Sequence, residues 1–144
     1  TSADEAVPYA AAGEKELNMV FHFDHMHLDY DENGKYARNR VKLTDLKQVF
    51  TEWDEKMNAC GGWNSLYWSN HDQARAVTRF GDESPKYREV SAKMLGTALH
   101  MLQGTPYIYE GEKIGMTNTF FDKIEDYRDV EALDIFNDFS AAAS

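Results

Sequence analysis

One cysteine, Cys60, is present, so the chain can form neither an internal disulfide nor a cysteine zinc site. It reads as a small residue beside a turn. Basic charge is scarce: 15 Lys and Arg against 25 Asp and Glu leave a net charge of −10 and a pI near 4.8. Proteins that grip a nucleic-acid backbone neutralise it with clustered Lys and Arg, so this balance argues against a nucleic-acid partner. No apolar run approaches the roughly 18 residues of a membrane span, which argues against a membrane role. The start carries Asp4 and Glu5 with no basic stretch ahead of an apolar one, which is not a signal-peptide pattern. A cytoplasmic location is the expectation. There is no internal repeat and no low-complexity tract. What is present is ordinary for a folded protein: 42% hydrophobic, 13% aromatic and 28% charged residues over 144 positions. That length predicts one segment, 1–144, burying roughly 70% of its surface.

Alternation of Leu17, Met19, Phe21 and Phe23 with Asn18, Val20 and His22 predicts a strand over 17–23. A polar loop follows to about Leu43. Thr44 is then expected to cap a helix whose face is Leu46, Val49, Phe50, Trp53 and Met57, stopped by Gly61-Gly62. The run 66–68 predicts a buried strand, and 69–84 a second long polar loop. Ser84-Pro85 has the chemistry of a helix start. The apolar residues Tyr87, Val90, Met94, Leu95, Ala98, Leu99 and Leu102 predict a wide, deeply buried face ending at Gly104. Thr105-Pro106 begins a third strand through Tyr109. Ser2 and Glu5 have capping-box spacing, and Val130, Leu133, Phe136 and Phe139 suggest a terminal helix.

The predicted class is therefore α/β, a parallel βαβαβ unit with flanking helical segments. Its strand-to-helix loops are the long ones, and they hold the His, Asp, Arg and Asn residues. In parallel α/β proteins the site lies on those loops.

Three clusters stand out there. Asp29, Asp31, Asn33 and Gly34 fit the opening of a calcium loop, but Arg40 stands where a bidentate Glu is required. A tight turn with solvated acids is the reading for that segment. His22, His25 and His27 lie near Asp24 and Asp29, yet a zinc site needs converging ligands with ordered partners. His25 and His27 are expected to face one way and His22 the other, as loop histidines lining a polar pocket. No metal and no cofactor are implied. The third cluster, Asn70-His71-Asp72, follows the second strand. Asp72 has the acceptors for two sugar hydroxyls, and His71 the donor for a third group. The plain alternative is a structural turn in which Asp72 caps the next segment.

The run W-S-N-H-D-Q-A-R-A-V-T-R-F-G-D, from Trp68 to Asp82, resembles the strand-seven motif of α-amylase-type glycoside hydrolases. The similarity is to the oligo-1,6-glucosidase and trehalose-6-phosphate hydrolase group. Val20 to Met26 resembles that family's sixth barrel strand. Leu102 to Glu112, with Ile114 to Asn118, resembles the eighth, and Ile124 to Val130 the segment after it. Ala74, Glu110, Lys113 and Phe120 stand where members commonly carry Pro, Gln, Glu and Pro.

The resemblance implies a partial (β/α)8 barrel, strands six to eight, of a retaining α-glucosidase acting on short α-linked, α-1,6-type glucosides. Asp72 would be the transition-state stabiliser and His71 its neighbour in substrate binding. Arg75 and Arg79 would shape the adjoining subsite or anchor the loop by ion pairs. The family's nucleophile stretch, G-F-R-x-D, is not found in these residues, and Gly13-Glu14 only superficially resembles the acid/base stretch. A whole barrel takes roughly 250 residues. The isolated chain is therefore expected to be inactive, and its unpaired outer strands to drive self-association. A stand-alone acidic α/β binding or signalling module is the alternative, but it leaves the Asn-His-Asp loop unexplained.

Overall fold

A computed structural model of the chain describes residues 2–13, 16–32, 34 and 39–142. Glu14 and Asn33, which entered the sequence reading, lie outside the described residues. The chain opens with helix α1 (Ala3–Ala10), where Ser2 and Glu5 form the expected capping box. Strand β1 (Val20–Phe21) leads into a single 3-10 turn, Asp24–Met26. Helix α2 (Leu43–Cys60) follows, then β2 (Asn64–Leu66) and the short α3 (Ala76–Phe80). Helix α4 (Arg88–Met101), β3 (Thr105–Pro106), two further 3-10 turns and α5 (Val130–Ala142) complete the order.

The three strands form one parallel sheet in the order β1-β2-β3. Val20 pairs with Asn64, and Ser65 with Thr105, so the crossovers run through α2 and α4 as expected for βαβαβ. Pro106, which has no N–H to donate, costs the pairing with β2 nothing, because the N–H that reaches β2 comes from the next residue. Its neighbour Tyr107 supplies the inward N–H, donating to Leu66 O at 2.7 Å. β1 and β3 are shorter than the sequence suggested, since pairing stops where the chain turns to build the strand-end loops; β2 has the expected three residues but lies two positions earlier, at Asn64–Leu66 rather than 66–68.

Helix α2 carries two cores on one apolar stripe. Its first half, through Leu46 and Phe50, packs on a cluster of Leu66, Trp68, Ala76, Val77, Leu95 and Leu99. Its second half, through Trp53 and Met57, packs on Ala3, Ala6 and Ala10, whose small side chains let α1 approach closely. Gly61 ends α2 in the left-handed region at φ 69°, with Cys60 beside that turn.

Several expectations are corrected. Thr44 does not cap α2; it lies inside the helix, and its hydroxyl donates to Asp45 at 3.0 Å. Ser84-Pro85 opens a turn ahead of α4 rather than the helix itself. α4 buries only Ser91, Leu95 and Leu99 fully, while Val90, Met94 and Met101 are exposed, so its apolar face is narrower than its composition. The loop after β2 contains α3, which five residues could not announce by periodicity. Finally, the apolar side of β1 faces away from the helices: Phe21 and Phe23 are about half exposed, whereas His22 is buried.

Candidate active site at the strand ends

The end of β2 is aimed by two buried aromatics. Tyr67 donates its hydroxyl to His22 O at 3.0 Å, and Trp68 donates its indole N–H to Leu95 O at 2.8 Å. Past them the chain emerges from the core. Asn70 Oδ1 accepts the Asp72 N–H at 2.9 Å, a local turn that lifts the next side chains outward. His71 and Asp72 are 80% and 65% exposed at their side chains, and His71 Nε2 lies 3.4 Å from Asp72 Oδ2. Both border a cleft of about 1050 Å³ whose walls include Asp29, Gln73, Arg79 and Asn118. A carboxylate and an imidazole side by side at an open cleft can accept and donate hydrogen bonds to a polyhydroxylated ligand.

The two arginines take different places. Arg75 bonds the Glu110 carbonyl through Nη1, and its guanidinium lies 5.2 Å from the Tyr109 ring centroid. Its own N–H donates to Asn118 Oδ1 at 2.7 Å, while the Asn118 N–H donates to Thr78 at 2.9 Å. The loop after β3 is thereby latched onto α3. Arg79 turns the opposite way, towards the loop after β1. It forms a two-point ion pair with Asp29, Nε to Oδ2 at 2.8 Å and Nη2 to Oδ1 at 2.5 Å.

Histidines 22 and 25 are placed differently from the sequence expectation. The 3-10 turn at Asp24–Met26 breaks the alternation, so His22 and His25 meet edge to face at 4.9 Å inside the core rather than lining a polar pocket. His22 stacks on Trp53 at 4.3 Å, and His25 Nε2 donates to Tyr67 O at 3.0 Å. Burial lowers His22 to about 4, with Asp24 opposing, and lowers His25 to about 3, with His22 adding to the effect. His27 is exposed and lies edge-on to Tyr30. Among the described residues no three or more His, Cys, Asp or Glu side chains converge on a metal position. In the calcium-like segment, Asp31 and Gly34 form a tight turn, and the Asp29 carboxylate is occupied by Arg79.

Tyr109 sits under Arg75, while Tyr107 shares with Phe21 the sheet face turned away from the helices, at 4.7 Å between rings. Sequence reasoning passed over Asp29 and Asn118 as site-building residues. Asn118 lay inside a matched stretch, but nothing local linked Asp29 to a residue fifty positions away. Glu112, partly buried and outside this cleft, has its carboxyl pushed up by burial, opposed chiefly by the Tyr109 backbone.

Comparison with known proteins gives concordant results. The chain is 54% identical over 134 residues to the oligo-1,6-glucosidase of Parageobacillus thermoglucosidasius, covering 93% of this chain and 24% of that one. It is 48% identical over 139 residues to the trehalose-6-phosphate hydrolase of Bacillus subtilis (strain 168), covering 96% and 25%. The chain thus spans about a quarter of the length of these curated relatives. It superposes on the crystal structure of Bacillus licheniformis trehalose-6-phosphate hydrolase with a TM-score of 0.93, at 49% identity, covering 99% of this chain and 25% of that one. The βαβαβ sheet is accordingly part of a (β/α)8 barrel. Residues 1–141 match the model of the alpha amylase catalytic domain, and the chain belongs to that family of glycoside hydrolases.

Proposed function

We propose that residues 1–144 form one incomplete segment of the catalytic barrel of a retaining α-glucosidase that hydrolyses short α-linked, chiefly α-1,6-linked, glucosides. The nucleophile and the acid/base carboxyl would come from elsewhere in the enzyme, so the segment alone is inactive on this reading. Asp72 accepts hydrogen bonds from the 2- and 3-hydroxyls of the sugar in the cleavage subsite, and His71 donates another. Such hydroxyl contacts tighten as the ring flattens towards an oxocarbenium ion, each contributing on the order of 3 kcal/mol to the barrier reduction. Arg79 borders this subsite, and Arg75 anchors the loop after β3 beside it. The reading is carried by the Asn70-His71-Asp72 turn, open to the cleft at the C-terminal end of the central strand.

Retention requires two carboxyl groups about 5–5.5 Å apart and a sugar–enzyme intermediate. The test is proton NMR of isomaltose hydrolysis by the full-length enzyme carrying this segment. The reducing-end glucose is released as the anomeric mixture already present, so the new anomeric centre is read as the excess over that mixture. An initial α excess supports the proposal, and a β excess, or no cleavage of an α-1,6 bond, contradicts it.

A further inference from the structure

We propose that Asp29 is a positioning residue for the Asp72 carboxylate, acting through Arg79 and Gln73; this rests on the role given to Asp72 above. The observation is a buried clamp between two strand-end loops. The Arg79 and Asp29 side chains are only 7% and 13% exposed, unlike the open His71 and Asp72 that border the same cleft. Besides Asp29, the guanidinium reaches Gln73 Oε1 at 2.6 Å, Met26 Sδ at 3.2 Å and the Met26 carbonyl. Aromatic rings bracket it, Tyr30 at 5.7 Å and Phe80 at 5.2 Å, and the Tyr30 hydroxyl also meets Gln73.

An arginine has five N–H donors in a fixed fork. Here Nε faces Asp29, Nη1 faces Gln73 and Met26 Sδ, and Nη2 faces Asp29 and the Met26 carbonyl, so each donor is spent within the protein. None is left to bind a sugar hydroxyl. What Arg79 can do is fix Gln73, the residue next to Asp72, against the loop after β1. Asn70 fixes the other side of Asp72 through its turn. The carboxylate is thus exposed for a ligand while its backbone is held from both flanks. A displacement of about 1 Å at such a group can lower turnover on the order of 10²-fold.

The prediction concerns the full-length enzyme carrying this segment, assayed on an aryl α-glucoside. Asp29→Asn keeps the shape but weakens the clamp, and kcat should fall about tenfold or more while KM moves less than about threefold. The decisive arm is the double variant with Asp72→Asn. If Asp29 acts through Asp72, adding Asp29→Asn to Asp72→Asn costs almost nothing further, whereas an unrelated structural defect multiplies through. Should Asp29→Asn not accumulate as folded protein, Arg79→Lys takes its place under the same criteria, since lysine keeps the charge and loses the fork. Wild-type kcat in the single variant, or a full multiplicative loss in the double, overturns the proposal. Asp72→Asn that itself retains wild-type kcat overturns the catalytic reading beneath it, and the two failures are read from separate enzymes.

Discussion

Single residues in this chain divide by what surrounds them rather than by type. Histidine shows it best. His71 stands in solvent beside a carboxylate, while His22 and His25 are sealed among Phe50, Trp53, Tyr67 and Trp68. The buried pair predicts acid sensitivity of a definite sign. Their folded-state values, about 4 and about 3, lie below the ordinary histidine value, so protons bind the unfolded chain first. Stability should be unaffected by these groups above about pH 6.5 and decline as pH falls from there towards about 4. His22→Phe, which keeps a ring on Trp53, should flatten that decline by an amount on the order of 3 kcal/mol. Unfolding midpoints measured from pH 7 to pH 4 check this, and an equally steep decline in the variant contradicts it. The sequence showed that these histidines were close together. It did not show a 3-10 turn rotating His25 onto the His22 side, because alternation rules assume that the strand continues.

Elements were legible in proportion to the length of their pattern. Helix α2 repeats its apolar stripe over about three turns, and its stop at Gly61 follows from the left-handed residue required there. α3 was invisible because Ala76, Val77 and Phe80 cover a single turn that is not repeated. α4 was recognised, but its exposed residues were assigned to the core, since one composition serves both a buried face and a face reserved for neighbouring elements. The site followed the same rule. Asn70-His71-Asp72 is contiguous and could be singled out, whereas the Arg79–Asp29 pair joins two loops and required the fold. Glycines give a paired prediction at this scale. A Cβ on Gly104 would lie 2.6 Å from the Asn64 carbonyl and 2.7 Å from Leu66 Cγ, forcing β3 away from β2. Gly104→Ala should destabilise the chain by about 1–3 kcal/mol. At Gly96, inside α4, a Cβ meets nothing within 4 Å, so Gly96→Ala should stabilise by about 0.5–1 kcal/mol. Chemical unfolding followed by tryptophan fluorescence separates them; equal effects would contradict the packing described.

At the scale of the whole chain, the three strands among the described residues form an open sheet. β1 and β3 are its outer strands, and the face opposite the helices carries Phe21, Phe23 and Tyr107, each close to half exposed. Tyr67 on that side is buried, shielded by Phe21, Phe23 and His25. In a closed barrel, inward residues are covered by the remaining strands. In the isolated chain, edges and aromatic face together offer a template for a second copy, opposed by a net charge of −10 whose repulsion is screened beyond about 8–10 Å. Sedimentation of the isolated chain at micromolar concentration should show self-association, and a compact monomer would contradict this. Among the described residues, no helix is long and apolar enough to cross a membrane.

The central claim is that the carboxylate after the middle strand stabilises the transition state. Its most direct test is kcat for Asp72→Asn in the full-length enzyme carrying this segment. The substitution keeps the volume and removes the charge, and Asp72 is exposed, so the fold should persist. Asp72→Asn should lower kcat by a factor on the order of 10² or more with an unchanged unfolding midpoint. A kcat within about twofold of wild type would contradict it.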